Sequence, residues 1–282
     1  MESRTLSFAD RFSKIKMRFL IIFWLIVVIV IIKSTLPTLA SIYSIKKAQT
    51  SFYTITLKEN LAEYARVETP PKEWTPLNKI SKRIQGAIIS SEDGKFFLHP
   101  GYDLEQFQDA INDTFVRKKK MRGASTITQQ LVKNLFLNKD RSFGRKGKEL
   151  IMSLMIEKHA DKKKILETYL NIIEYGKGLY GIQAATQFYF KKNPDKLTAR
   201  EAAFLAMLLP SPAKYSKSFK TKTLTSFANR MIASILLKMK QGGYIGEEEY
   251  ATELNSHFAW EKPQLTEDAS DQNIEDEFSE NE

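Results

Sequence analysis

The chain contains no cysteine. Disulfides, thiolate catalysis and cysteine-ligated zinc or iron–sulfur centres are therefore excluded, and the compartment is left open. Histidine is scarce as well. His99, His159 and His257 are scattered and show no metal-ligand spacing. No internal repeat is present. Two common motifs begin and then fail. "GKGLYG" (Gly176–Gly181) has glycines at phosphate-loop spacing, but Ile182 stands where lysine is required. "SPAK" (Ser211–Lys214) is a Ser-x-x-Lys, but it follows the helix-stopping Pro210 and no Lys-Thr-Gly comes after it.

What is present is charge, unevenly spread. Residues 261–282 hold nine acids against Lys262, a net of −8, which leaves +18 on residues 1–260 of a chain whose total is +10. A basic body calls for an anionic partner: nucleic acid, an anionic membrane surface or a phosphorylated substrate. The acidic tail, 261–282, has little apolar content and reads as disordered. Hydrophobic residues make up 43% of the chain, enough for a sizeable core.

Phe19 to Ile32 is fourteen consecutive apolar residues. A span needs roughly 20, and no charge other than Lys33 interrupts the chain as far as Ile45. With Lys33 snorkelling, an uncleaved transmembrane anchor over 19–39 is expected; cleavage of a signal peptide after Ala40 is the alternative. Arg4, Arg11, Lys14, Lys16 and Arg18 precede it, so residues 1–18 are expected in the cytoplasm and everything after about residue 45 outside. That topology points away from nucleic acid and toward a substrate carrying phosphate or a charged lipid.

Residues 40–76 read as a juxtamembrane segment, with a short strand in "QTSFYTITLK" and a proline-rich linker in "ETPPKEWTP". From Leu77 on, helical spacing dominates. Ile80, Ile84, Ala87 and Ile88 lead into an acid pair, Glu92-Asp93; Asp103 is a candidate N-cap for a helix through Leu104, Phe107, Ile111 and Phe115. Thr126 with Gln129, and Thr198 with Glu201, have capping-box spacing. Leu150, Leu154 and Met155 mark one further helix, Ile165 to Leu170 another, and Phe227 to Met239 a last one. The body, 77–260, is expected to be a single, mainly α domain.

Three stretches could carry chemistry. Glu92, at the end of an apolar helix and near Phe96 and Phe97, could be a desolvated base; the plain reading is a solvated helix end. "STITQQLVKN" (Ser125–Asn134) begins a helix whose N–H groups could bind an anion, close to "RKKKMR" (117–122); the plain reading is a capped helix beside a solvated loop. In "RKGKE", Arg145 and Glu149 are four apart and share a helix face; a simple ion pair is the plain reading, although Lys146 and Lys148 add to an already basic stretch.

Together "EDGKFFLHPG", "GASTITQQLVKN", "RKGKE" and "KKILETYLN", followed by "NIIEYGKGLYGIQAA" and "REAAFLAMLLPSPAKY", resemble the ordered motifs of the peptidoglycan glycosyltransferases, glycosyltransferase family 51. The resemblance covers about residues 74–245, and with no transpeptidase domain following it looks like the monofunctional kind. It implies a lysozyme-like helical domain with a membrane-facing jaw. It also implies polymerisation of lipid II outside the bacterial cytoplasmic (inner) membrane, with inversion at the donor's anomeric carbon. By motif position Glu92 would be the general base, and Glu149 would act on the donor side. Asp93, Phe96 and His99 would shape the site, Thr126, Gln130 and Lys133 would line the cleft, and Lys133, Arg145 and Lys146 would meet phosphate charge. Glu167 and Asn171 would be supports. The resemblance leaves room for a divalent cation (magnesium or manganese) near Glu149 and implies no organic cofactor. Partners would be lipid II, the growing strand, the membrane, and penicillin-binding and division proteins, but no nucleic acid. A glycan-cleaving enzyme or an inert peptidoglycan-binding scaffold would be the alternatives.

Overall fold

A computed structural model describes residues 8–59, 61–106, 108, 112, 125–137 and 142–262. The expected mainly helical body is there, and most helix starts follow from their caps. Helix α3 (Lys82–Glu92) begins at Ser81, whose hydroxyl accepts from the Ile84 N–H at 3.2 Å. Helices α4 (Ile127–Phe136) and α8 (Ala199–Leu208) both carry full capping boxes, built by Thr126 with Gln129 and by Thr198 with Glu201. Every residue of α8 is buried, Arg200 and Glu201 included, as befits a helix apolar on nearly all sides at the centre of a core. It packs against α3 and α11 (Ser226–Gln241), and those two also pack on each other.

A second group lies alongside. Helix α4 packs on α5 (Phe143–His159) and on α6 (Lys162–Ile172), which Asp161 caps. Glu92 ends a helix of the first group, and α4 and α6 of the second supply Gln130, Lys133 and Tyr169 around it. The connection between the groups is described in part. Residues 104–106, 108 and 112 are helical, and Asp103 caps them through the Gln106 N–H at 2.9 Å. Phe107, Ile111, Phe115 and the basic run 117–122 lie outside the described residues, as does the acidic tail beyond Lys262.

The stretch 40–76 is more ordered than a linker. Phe52–Lys58 (β1) pairs antiparallel with Leu61–Val67 (β2), from Phe52 opposite Val67 to Lys58 opposite Leu61. The proline-rich segment is pinned to α6. The Trp74 indole donates to Glu167 at 3.0 Å, and the Thr75 N–H donates to the Asn171 side-chain oxygen at 2.8 Å. Asn171 returns a bond to the Thr75 carbonyl at 2.8 Å, and the Leu77 N–H donates to Glu167 at 2.9 Å. Prolines keep this strap out of regular helix and sheet, and one face of α6 satisfies the polar groups it leaves unpaired.

The N-terminal expectation is corrected. Among the described residues no helix is long and apolar enough to cross a membrane. Helix α1 (Phe8–Thr35) contains the apolar run, but its fourteen residues rise only about 21 Å, against roughly 30 Å of hydrocarbon. The stretch 19–39 is not one helix either. α1 ends at Thr35, Pro37 interrupts, and α2 (Leu39–Lys46) starts afresh with Thr38 as its cap. The transmembrane anchor, the single-pass inner-membrane location and the cytoplasmic N-terminus fall together, and with them the topological argument against a nucleic-acid partner. α1 and α2 both pack against α5, while Phe19, Trp24 and most of their described apolar neighbours stay more than half exposed.

Candidate active site

The acid pair divides its labour. Asp93 closes α3 and is buried. One carboxylate oxygen accepts from the Ile127 N–H at 2.9 Å, the first amide of α4. The other lies 2.8 Å from His99 Nε2. The Gly101 N–H donates to His99 Nδ1 at 3.1 Å, so Nδ1 is the acceptor and Nε2 carries the proton given to Asp93. Thr126 Oγ1 donates to the Gly101 carbonyl at 2.8 Å while accepting from Gln129. The loop 93–101 is thereby tied to the start of α4 at two points, Asp93 to Ile127 and Gly101 to Thr126. Gly101 has φ +99°, and a Cβ there would press on Glu157 and the Ser153 carbonyl of α5, so glycine is required.

The N-terminus of α4, read as an anion site, already holds an anion, the Asp93 carboxylate. Thr126, expected to line the cleft, is buried and engaged in capping. Phe96 is also fully buried, under the Lys162 ammonium at 4.5 Å from its ring. Lys162 in turn pairs with Glu157 at 2.7 Å, and Glu157 accepts from Thr128 at 2.5 Å. Asp93, Phe96, His99 and Thr126 thus form a buried support next to Glu92.

Glu92 is only partly exposed, and its carboxylate accepts from Gln130 Nε2 at 2.8 Å. Burial pushes its pKa above the usual carboxylate range. The Gln130 hydrogen bond and the charges of Lys133 and Lys238 pull it partway back, and Asp93 pushes it up. Lys238, on α11, escaped the sequence reading because nothing in its own stretch marks it; only the α3–α11 packing brings it near. Lys133 is exposed on α4 and faces the same carboxyl.

Glu149 is 2% exposed and sits among cations. Arg145 Nη1 bonds one oxygen at 3.3 Å, and the Lys146 ammonium forms a close ion pair with the other. Lys146 also donates to Ser125 Oγ at 3.1 Å, and the Ser125 carbonyl receives a longer bond from Gln130 at 3.4 Å. Ser125 therefore links the surroundings of the two glutamates. Arg145 Nε is buried with no partner among the described residues, a donor left over in a cationic corner. Both Glu149 oxygens are thus taken by cationic nitrogens.

A family model described as transglycosylase matches residues 58–239, well over half of the chain. The chain belongs to the transglycosylase family. Among curated relatives, a biosynthetic peptidoglycan transglycosylase of Shewanella amazonensis is 44% identical over 181 residues, 62% of this chain and 72% of the relative. One of the same name from Aeromonas hydrophila is 37% identical over 215 residues, 76% of this chain and 89% of the relative. Another from Pseudomonas syringae is 41% identical over 189 residues, covering 67% and 77%. The transglycosylase match takes in Glu92, Gln130, Glu149 and Lys238, and it leaves α1 outside.

Proposed function

We propose that this transglycosylase uses Glu92 as the base that activates the acceptor while it polymerises lipid II into glycan strands. The protein is an enzyme, a peptidoglycan glycosyltransferase acting on lipid II. The observation that supports the division of roles is the unequal setting of its two carboxyls. Glu92 is fixed by a neutral amide and raised in proton affinity, whereas Glu149 lies in a cationic corner.

In the reading that follows, the acceptor's 4-hydroxyl approaches Glu92. Its oxygen bonds to the donor's anomeric carbon as the bond from that carbon to the pyrophosphate oxygen breaks. The proton passes to Glu92, and the electron pair leaves with the pyrophosphate. A base with an elevated pKa holds the proton it takes better than an ordinary carboxylate would. Lys133 and the Arg145–Lys146 corner offset the leaving group's charge, and the spare Arg145 Nε–H is one donor for it. Glu149 holds those cations in place. Penicillin-binding and division proteins are the partners such an activity would work beside.

The test is polymerisation of labelled lipid II by the purified protein, with products separated by size. A ladder from the wild type and none from Glu92→Gln supports the assignment. Strands of equal yield from both proteins would overturn it.

A further inference from the structure

Behind Gln130 stands a residue with no role in the account so far. Tyr169, on α6, is fully buried, and its hydroxyl lies 2.9 Å from Gln130 Oε1. Gln130 Nε2 then donates to Glu92 at 2.8 Å. Three elements, α6, α4 and α3, thus form one chain of hydrogen bonds that ends on the carboxyl. We propose that Tyr169 is a positioning residue for Glu92, acting through Gln130 by holding the amide so that its NH2 faces the carboxylate. This deepens the reading of Glu92 as the base and rests on it for its catalytic meaning.

The chemistry of the amide supports this. Its two ends have nearly the same shape but opposite polarity. On one side of Gln130 are two acceptors, the Glu92 carboxylate and the Ser125 carbonyl; on the other is a single hydroxyl donor. Burial pushes the Tyr169 hydroxyl well above its ordinary pKa, so it remains a donor at every working pH. A donor on Oε1 also polarises the amide and strengthens what Nε2 gives to Glu92. Without the hydroxyl, Oε1 loses its donor in a partly buried place, and the amide loses its reason to keep that orientation. The other charged groups acting on Glu92 are Asp93, Lys133 and Lys238.

The sign follows directly. A hydrogen bond to the carboxylate favours its charged form, so weakening it raises the Glu92 pKa. Tyr169→Phe should move the acidic limb of the pH–kcat/KM profile up by roughly half to one pH unit. Rates well above the limb should fall only a few-fold. Direct titration of the Glu92 side-chain carbon by NMR, assigned by its loss in Glu92→Gln, should show the same upward shift. In a Gln130→Met background, Tyr169→Phe should add no shift. A rate lowered equally at all pH values, with Glu92 titrating unchanged, would mean a purely structural tyrosine. A full shift in the Gln130→Met background would mean that Tyr169 acts by another route. If Tyr169→Phe does not fold, replacing tyrosine with 3-fluorotyrosine, a stronger donor of the same shape, should lower the Glu92 titration; no movement there would overturn the proposal. The NMR titration reads the relay even if Glu92→Gln still polymerises, so failure of the base assignment and failure of the relay are separable.

Discussion

Glu92 and Glu149 are the same residue in opposite company. Glu92 meets a neutral amide, with its cations at longer range, and burial raises its proton affinity. Glu149 is more deeply buried but has a cationic nitrogen on each oxygen. A carboxyl meant to gain a proton is kept away from close cations, and one meant to organise cations is surrounded by them. Sequence spacing gives both residues the same appearance, an acid near a helix end or on a helix face. The packing of α4 against α3, α5 and α6 is what separates them.

The sharpest way to break the comparison is to neutralise each acid in turn. Glu92→Gln should cost on the order of 10²–10⁴ in polymerisation rate, the usual range for removing a general base, with the fold intact. Glu149→Gln should lose activity together with stability. Two charge-assisted contacts would be weakened, each worth roughly 1.5–3 kcal/mol when well buried, less here because Lys146 is half exposed. Thermal melting beside the polymerisation assay separates the two outcomes. Equal melting temperatures for the two variants would remove the distinction drawn between these sites.

A second, smaller effect concerns pH. The folded-state pKa of Glu92 lies above its unfolded value, so this group's favourable contribution is complete at pH below the unfolded value. It is lost as pH rises through the folded value, and above that the ionised carboxyl is a net cost to the fold. Glu92→Gln should therefore melt higher than wild type at neutral pH, and the gap should close on acidification. A gap that is constant with pH, or of opposite sign, would contradict the desolvation argument. The same shift places the acidic limb of the wild-type rate profile above the ordinary carboxylate range.

How much of this was legible in the sequence depends on the range over which each signal acts. Capping boxes at Thr126 and Thr198 are local, three residues long, and both formed where the spacing placed them. The helix through 150–155 was legible as a helix but not in its phase: Leu150 and Leu154 are exposed, and Met152, Ser153 and Ile156 face inward instead. Neighbouring helices, α1 and α2 among them, decide that phase, and they lie far away in sequence. β2 went unread because only alternate residues are half-buried in "LAEYARV", which gives little contrast. The apolar run at 19–32 was plain, but its breadth suggested a span that its length and the break at Pro37 do not provide. Within the site, Glu92, Gln130 and Glu149 could be named from motifs. Lys238 and the bond from Tyr169 to Gln130 could not, because each depends on a helix crossing.

The smallest expected effect belongs to Lys133. Its ammonium is exposed and acts on Glu92 through its charge, so salt should screen much of that influence. Lys133→Ala should raise the Glu92 titration by a few tenths of a pH unit at low ionic strength, roughly what one screened charge exerts. That shift should shrink toward zero near 1 M salt, where the screening length is about 3 Å. If Lys133 also meets the pyrophosphate, the variant should bind a pyrophosphate-bearing substrate analogue several-fold more weakly, and that loss should persist in salt better than the pKa shift does, because a bound phosphate excludes water from the contact. An unchanged affinity together with the small pKa shift would confine Lys133 to the Glu92 side of the comparison and leave the leaving group to Arg145 and Lys146 alone.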